Sequence, residues 1–237
     1  ELSTRSNEIE KEVCLRLDKV GRRWKASSDV DVTSSVEEEE VNCFRYQEVA
    51  SRCLGRLDVR RGVNADPFNQ AGVIDNATIM HVVKDLLGED ARLVYCGLIF
   101  SMPNSADQPW HQDGTPLFPE ADTNMDLPAY ALNVFIPLHD ITDDLGPTEF
   151  FPGSHLAQRA TEINQDIEKA AKRSNAVIGP NLKRGQVLMY DYRVCHRGTS
   201  NLSKQGTTRS MLYLMYARPW FLEHLNFGDD CLFPKEA

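Results

Sequence analysis

The feature that most constrains the fold of this chain is a series of five short apolar segments in its second part. Each segment is rich in β-branched and aromatic residues, and Gly, Pro, Asn or Asp residues separate one from the next. This pattern is typical of short strands that turn back on one another, and it predicts a β-sandwich or barrel. The segments read ARLVYCGLIFSMP, AYALNVFIPL, TEFFPGSH, GQVLMYDYRVCHRG and TRSMLYLMYARPW.

Two helices are predicted ahead of these strands. In the first, Asn7 followed by Glu10 is a capping pattern, and Gly21 is a stop signal. The second runs through DNATIMHVVKDLLGED, with its cap at Asp75 or Asn76. Apolar residues recur every three or four positions in both, so one face of each helix should pack on the core. The expected core-facing residues are Ile9, Val13, Leu17 and Val20 in the first helix and Ile79, Val82, Val83, Leu86 and Leu87 in the second.

We expect a single functional domain made of two parts. Residues 1–89 should form a helical and loop region that packs on the barrel, with residues 25–40 as an acidic, mobile loop. Residues 90–237 should form the β core, with a polar helical insertion near 156–175. The predicted fold class is therefore α+β, mainly β, with N-terminal supporting helices.

The amino-acid composition restricts the binding partners and the cellular compartment that we expect for this chain. The chain has 26 basic and 35 acidic residues, a net charge of −9, and no basic cluster, which argues against nucleic acid or an anionic membrane surface as partner. No apolar run is long enough to cross a bilayer. The six cysteines lack C-x-x-C spacing, which favours reduced thiols in an intracellular, cytoplasmic setting. Because the chain begins with Glu1, we expect it to be processed or trimmed, so that an N-terminal targeting segment could be missing.

The stretch PWHQDGTPLF places His111 and Asp113 two residues apart. On a strand, residues i and i+2 point to the same side, so the pair could hold one metal ion. The pair alone is a weak signal, because this composition supplies about one acid two residues after a His by chance. His196, at the end of a later apolar strand, offers a third ligand, and two His with one carboxylate suit iron. Arg209 opens the next strand and could hold the far carboxylate of a metal-bound acid through paired N–H bonds.

Together, HQD, GPTEFFPGSH, CHRG and an Arg thirteen residues beyond the last His resemble the phytanoyl-CoA dioxygenase (PhyH-like) family. The resemblance covers about residues 90–220 and includes DQPWHQDG and LNVFIPLHDITDDLGPTEFFPGSH. It implies a double-stranded β-helix, which is a jelly-roll or cupin-like barrel. It also implies a reaction that uses Fe(II), 2-oxoglutarate and O2, oxidises a small-molecule substrate, and releases succinate and CO2.

The resemblance also implies roles for particular side chains. His111, Asp113 and His196 match the residues that hold iron, and Arg209 matches the residue that binds the distal carboxylate of 2-oxoglutarate. Halogenating relatives lack the carboxylate ligand, so the presence of Asp113 favours hydroxylation or a related oxidation.

Further positions match the family less strongly. Phe135 stands where many relatives carry a Trp beside the cosubstrate. The upstream stretch GRLDVRRG resembles a stretch of uncharacterised members that has no known role, and its Arg residues could face an anionic substrate, although Arg is more commonly found at the surface. Three residues fall where relatives offer hydrogen bonds to the cosubstrate: Gln108, Thr148 and Asn133.

Two other functions remain open at this point. One is a catalytically silent jelly-roll protein that works by binding, although such a protein has no need of both the His-Asp-His set and Arg209. The other is a cupin-like isomerase that uses a different divalent metal, in which Arg209 would have no role.

Overall fold

The computed structural model describes residues 1–22, 24–25, 43–51, 53–115, 117–118, 127–173, 176–223 and 228–234. The helices in these residues are α1 (Leu2–Lys19), α2 (Ala71–Ile74), α3 (Ala77–Leu87) and α4 (Ala157–Arg173), and a 3-10 turn covers Asp143–Leu145. The strands are β1 (Phe44–Arg45), β2 (Val49–Ser51), β3 (Arg56–Val59), β4 (Arg92–Ser101), β5 (Ala131–Pro137), β6 (Thr148–Phe150), β7 (Val177–Ile178), β8 (Leu188–Asp191), β9 (His196–Gly198) and β10 (Arg209–Ala217). The predicted loop at 25–40 lies, apart from Lys25, outside the described residues.

The strands form two antiparallel sheets. The larger sheet has seven strands in the order β1-β2-β3-β4-β10-β5-β8, and the smaller has three in the order β7-β6-β9. Strand β10 lies between β4 and β5, and it pairs with both over almost its whole length. This arrangement confirms the predicted mainly β fold, and α4 lies in the stretch where the helical insertion is predicted.

The two faces of the large sheet belong to different cores, because side chains alternate along a strand. One face packs beneath the helices, and the other lines the space between the two sheets. The helix-facing set includes Leu57, Leu98, Phe100, Val134, Leu212 and Leu214. The set between the sheets includes Tyr95, Ile99, Phe135, Met211 and Tyr213.

Helix α1 covers part of the outer face of the large sheet. Its buried apolar residues Ile9, Val13 and Leu17 are those that the sequence predicts. The predicted start near Asn7 is wrong, since the helix begins at Leu2, whose side chain packs against the same core. Val20 lies beyond the last turn and is 43% exposed.

Helix α3 matches the prediction at both ends. The Asn76 side chain accepts hydrogen bonds from the backbone N–H groups of Thr78 and Ile79, as an N-cap does. Gly88 ends the helix with a φ of 99°, which favours glycine. Ile79, Val83 and Leu87 are buried as predicted, whereas Leu86 points outward and is 49% exposed.

Three strands of the large sheet come from the region predicted to be helices and loops. Strands β1, β2 and β3 have two to four residues each, too few for alternation to identify them. Strand β3 pairs with β4 and brings Arg56 opposite Ser101. None of the helices in the described part of the chain combines the length and apolar character needed to cross a membrane.

Candidate metal and cosubstrate site

Three potential metal ligands that are distant in the chain meet between the two sheets. One ligand atom from each of His111, Asp113 and His196 lies within 4.8 Å of the others. The Nε2 atom of His111 is 3.9 Å from Asp113 Oδ1, and the Nε2 atom of His196 is 3.6 Å from Asp113 Oδ2. These separations would allow one ion to contact all three groups.

Strand pairing explains why the two histidines meet. The backbone N–H of each histidine donates to the carbonyl of the other, so His111 lies directly opposite His196 in an antiparallel bridge beside β9. Residues directly opposite each other project to the same face, and the two rings are 4.4 Å apart between centroids. Asp113 is two residues beyond His111 and its carboxylate reaches the same side, as the spacing predicts.

Backbone contacts orient both imidazole rings. The Nδ1 atom of His111 is 2.9 Å from the carbonyl oxygen of Pro109, and that of His196 is 2.9 Å from the carbonyl oxygen of Val194. A carbonyl can only accept, so each Nδ1 carries the proton and donates it. In the neutral imidazole this arrangement leaves the lone pair on Nε2, which is the atom that a metal ligand would use.

Asn133 on β5 orients the carboxylate. Its side-chain amide donates to Asp113 Oδ2 at 2.6 Å and to the Tyr190 hydroxyl at 3.2 Å. In the structure the Asn133 amide donates to Asp113, and the residue lines the same pocket, so we infer that Asn133 positions this ligand. The hydrogen bond from Asn133 to the cosubstrate stays a prediction.

Replacement of Asn133 by Leu should therefore weaken metal binding without unfolding the protein. We expect a loss of about 10- to 100-fold in Fe(II) affinity, the range usual for hydrogen-bond partners of metal ligands. Anaerobic Fe(II) titration would measure it. Asn181→Leu is a matched control. The Asn181 side chain is exposed and lies outside the pocket, and its amide donates a 2.7 Å hydrogen bond to Asp143. Equal affinities in the two variants would contradict this role.

A neutral phenol lies beside the imidazole of His196. The Tyr190 hydroxyl is 3.3 Å from His196 Nε2, and burial, together with the nearby Asp113 carboxylate, raises the pKa of Tyr190 well above its usual value. The phenol thus remains protonated and adds no second negative charge beside Asp113. No sequence motif marks Tyr190, because its contact depends on the pairing of β8 with β5.

Arg209 lies in the same pocket as the three ligands. Its side chain is 4% exposed, and its Nη2 atom donates to the Ser101 hydroxyl at 2.8 Å. Its Nε and Nη1 atoms are buried and have no hydrogen-bond partner among the described residues. A buried N–H without a partner is costly, so these two donors fit a ligand carboxylate.

The remaining predicted residues line that pocket as well. The carbonyl oxygen of the Gln108 side chain accepts the Gly198 N–H at 2.9 Å, which ties the segment before His111 to β9. Thr148 begins β6 and is buried in the pocket wall. Phe135 lines the pocket and packs edge-on against Tyr190, with ring centroids 5.2 Å apart.

The chemistry of these donors fits a ferrous ion together with a 2-oxo dicarboxylic acid. Two imidazoles and one carboxylate on one side of an ion leave the opposite positions for other ligands, which suits Fe(II). The unpartnered donors of Arg209, in the wall of the same pocket, suit a distal carboxylate. The cavity between these residues has a volume of about 100 Å³, which suits a small organic acid.

Arg56 is the residue of this site that sequence reasoning assigned to the wrong place. The expectation for an Arg in GRLDVRRG is a surface position, but Arg56 is 3% exposed and lines the pocket. The GRLDVRRG stretch is the only feature of the sequence that points to this residue. The position of Arg56 in the pocket depends on the pairing of β3 with β4, which no local pattern predicts.

Comparison with known proteins identifies relatives over most of the chain. The family described as "Phytanoyl-CoA dioxygenase (PhyH)" matches residues 19–211. The chain is 28% identical over 110 residues to "Dioxygenase aneA" of Aspergillus aculeatus, and 26% identical over 122 residues to "Dioxygenase easH" of Epichloe festucae var. lolii. These alignments cover 46% and 51% of the chain, and the chain spans 35% and 60% of the length of the two relatives.

Solved structures share the fold. The structure of AviO1 from Streptomyces viridochromogenes Tue57 superimposes with a TM-score of 0.58 and 18% identity over 93% of this chain and 86% of that chain. The non-heme alpha ketoglutarate dependent carbocyclase SnoK from nogalamycin biosynthesis has a TM-score of 0.54 and 18% identity over 91% and 75%. HygX from Streptomyces hygroscopicus, with nickel and 2-oxoglutarate bound, has a TM-score of 0.52 and 15% identity over 75% and 78%. These likenesses confirm the predicted jelly-roll type of fold.

Proposed function

Because this chain belongs to the phytanoyl-CoA dioxygenase family, we propose that it is an Fe(II)- and 2-oxoglutarate-dependent dioxygenase. Its proposed reaction hydroxylates or otherwise oxidises a small organic molecule and releases succinate and CO2. The observation that carries the proposal is one pocket with two complementary parts. The first is the His111, Asp113 and His196 cluster, and the second is the pair of unpartnered donors on Arg209.

This combination favours an oxygenase over the two alternatives. A catalytically silent binding protein has no need of both a metal cluster and a buried guanidinium with open donors, since each is costly to maintain without its ligand. A cupin-like isomerase needs the metal ligands but gives Arg209 no ligand to hold. HygX, which shares this fold, was solved with nickel and 2-oxoglutarate bound.

In the proposed reaction, His111 and His196 would hold the metal through Nε2, and Asp113 would complete one face. A bound ferrous ion with 2-oxoglutarate supplies O2 activation coupled to oxidative decarboxylation. Asn133 keeps the Asp113 carboxylate turned toward the imidazoles through its 2.6 Å hydrogen bond. The protein's part is thus to preset the geometry of three ligands and leave the other face to the cosubstrate and O2.

At the other end of the pocket, Arg209 would bind the distal carboxylate through its Nε and Nη1 donors. Gln108 and Thr148 would add hydrogen bonds along the cosubstrate, since both line the same wall. Apolar side chains between these ends keep water away from the reacting atoms, which strengthens each polar contact. They include Ile99 and Phe135.

The proposed substrate is a small molecule, and Tyr95 and Tyr213 line the pocket that would receive it. Burial raises the pKa of both phenols well above the usual value, so they offer neutral hydroxyl groups. The Tyr213 hydroxyl donates to Asp58 at 2.6 Å, and the Tyr95 hydroxyl is 3.2 Å from that of Tyr192. This wall is mixed aromatic and polar, which suits an organic molecule better than a long anionic polymer.

An anaerobic titration tests the proposal. Addition of Fe(II) and then 2-oxoglutarate should produce a weak visible charge-transfer band, and exposure to air should release succinate. A screen of metabolite extracts for compounds that accelerate succinate release would then identify the substrate. Absence of both the band and succinate would favour the silent binding protein. Metal binding without any response to 2-oxoglutarate would favour the isomerase.

A further inference from the structure

Two arginines from distant parts of the chain lie side by side in the large sheet. Ser101 on β4 is directly opposite Arg56 on β3 and, on its other side, directly opposite Arg209 on β10. Directly opposite residues share one face of an antiparallel sheet, so all three side chains project from the same face, and both arginines line the pocket. The Ser101 hydroxyl accepts from Arg56 Nη1 at 2.7 Å and from Arg209 Nη2 at 2.8 Å. One oxygen atom therefore holds two guanidinium groups together.

Arg56 is anchored by neutral acceptors. Its Nε and Nη2 atoms donate to the carbonyl oxygen of Ala106 at 3.1 and 2.8 Å. Its Nη2 atom also donates to the carbonyl oxygens of Gly198 and Thr199 at 3.1 and 2.6 Å. These bonds fix the guanidinium rigidly, but none of them neutralises its charge.

The two guanidinium groups have no ion-pair partner within the described part of the chain, and the Asp107 carboxylate acts on Arg56 only from beyond ion-pair distance. Neither Arg56 nor Arg209 forms an ion pair with a described carboxylate, although both are almost fully buried. Burial and the neighbouring Arg56 lower the pKa of Arg209 to about 9, so the Arg209 guanidinium is still charged at neutral pH. Two adjacent buried cations without an anion are unfavourable, and such an arrangement fits a site that an anionic ligand completes.

Gly198 makes this close approach possible. A Cβ atom at this position would lie 2.6 Å from Arg56 Nη1, 2.7 Å from Gln108 Oε1 and 3.2 Å from Arg209 Nη2. Any side chain here would push the guanidinium groups out of the pocket wall. Gly198, the glycine of CHRG, and Arg56, the first arginine of GRLDVRRG, are thus parts of one arrangement.

We propose that Arg56 is a second cationic determinant of cosubstrate binding, which acts with Arg209 to select a dianionic 2-oxo acid. This proposal rests on the proposed function, because it assigns the same pocket to 2-oxoglutarate. Arg209 supplies the direct contacts, since its Nε and Nη1 donors are open. Arg56 is a positioning residue, which holds Ser101 and Arg209 in place and adds a fixed positive charge behind the distal carboxylate.

The test is the affinity of Arg56→Gln for 2-oxoglutarate. Isothermal titration of the Mn(II)-loaded protein, without O2, should show an affinity about 10- to 100-fold weaker than that of the wild type. This range corresponds to the loss of one unit charge several ångströms away at an effective dielectric constant of about 20. The Mn(II) affinity should change less than about 3-fold, since Arg56 does not contact the three metal ligands. Affinity for 2-oxobutyrate, which lacks the distal carboxylate, should be unchanged.

Two further variants separate charge from structure. Arg56→Lys keeps the charge but loses the planar fork, so we expect it to retain most of the 2-oxoglutarate affinity. A purely structural Arg56 would make the Lys variant as weak as the Gln variant, and that outcome would overturn the proposal. If Arg56→Gln does not fold, the Lys variant decides alone, and a loss above 10-fold would count against the proposal. Arg61→Gln is the control, because Arg61 pairs with Glu12 at 2.7 Å outside the pocket.

The titration of the wild type separates a failure of the proposed function from a failure of the proposed role of Arg56. No binding of 2-oxoglutarate to the metal-loaded wild type would overturn the proposed function itself. Binding by the wild type together with equal binding by Arg56→Gln would overturn only the role of Arg56.

Discussion

Replacement of Asp113 by Ala is expected to abolish 2-oxoglutarate decarboxylation and to lower Fe(II) affinity by at least about 100-fold. Removal of a hydrogen-bond partner of a metal ligand usually lowers metal affinity by about 10- to 100-fold, so removal of the ligand itself should lower it further. Asp113 is also the carboxylate that lies within 4 Å of both imidazoles. Without it, two neutral imidazoles would face a dication with no charge to balance it.

Anaerobic Fe(II) titration followed by succinate measurement under air would check this prediction. Asp140→Ala is the matched control, because the Asp140 carboxylate accepts the Arg184 N–H and pairs with Lys183 outside the pocket. The control should keep its metal and its activity. Turnover in Asp113→Ala would show that the iron ligands are wrongly assigned.

The residues of the candidate metal cluster could be predicted because their spacing has a local physical cause. The H-x-D pattern places two side chains on one side of a strand, and the family motif then indicates which distant His completes the set. The structure brings those atoms within 4.8 Å of one another. The assignment of iron to them remains a prediction that the Asp113 variant tests.

Other parts of the site depend on pairing between strands that are far apart in the chain. Arg56 reaches the pocket because β3 pairs with β4 in a register that sets it opposite Ser101. Asn133 reaches Asp113 because β5 lies between β10 and β8. Neither register leaves a pattern in the local sequence, so Arg56 was expected at the surface and the contact between Asn133 and Asp113 was not predicted.

The helices show the same limit of prediction from local sequence patterns. Apolar spacing predicts which residues of α1 and α3 are buried, because the period of the helix determines its face. It predicts less well where α1 begins, since the packing of Leu2 on the core extends the helix beyond the capping pattern at Asn7. Tertiary contacts therefore override a local end signal.

Replacement of Arg209 by Lys should weaken 2-oxoglutarate binding by at least about 10-fold while leaving Fe(II) affinity within about 2-fold of the wild type. The guanidinium offers two buried, unpartnered donors, Nε and Nη1, in a fixed plane, whereas an ammonium is a single point of charge. The variant keeps the positive charge, so the loss would measure the paired geometry alone.

The measurement is the 2-oxoglutarate dependence of succinate release, together with a direct titration of the metal-loaded protein. Arg218→Lys is a suitable control, because Arg218 follows the other end of β10 and donates to the backbone carbonyls of Ala129 and Leu86. Comparison of these two variants, at opposite ends of β10, then separates the loss of a ligand contact from the loss of a structural contact. An unchanged affinity in Arg209→Lys would mean that the distal carboxylate is held elsewhere, and Arg56 would become the first residue to test in its place.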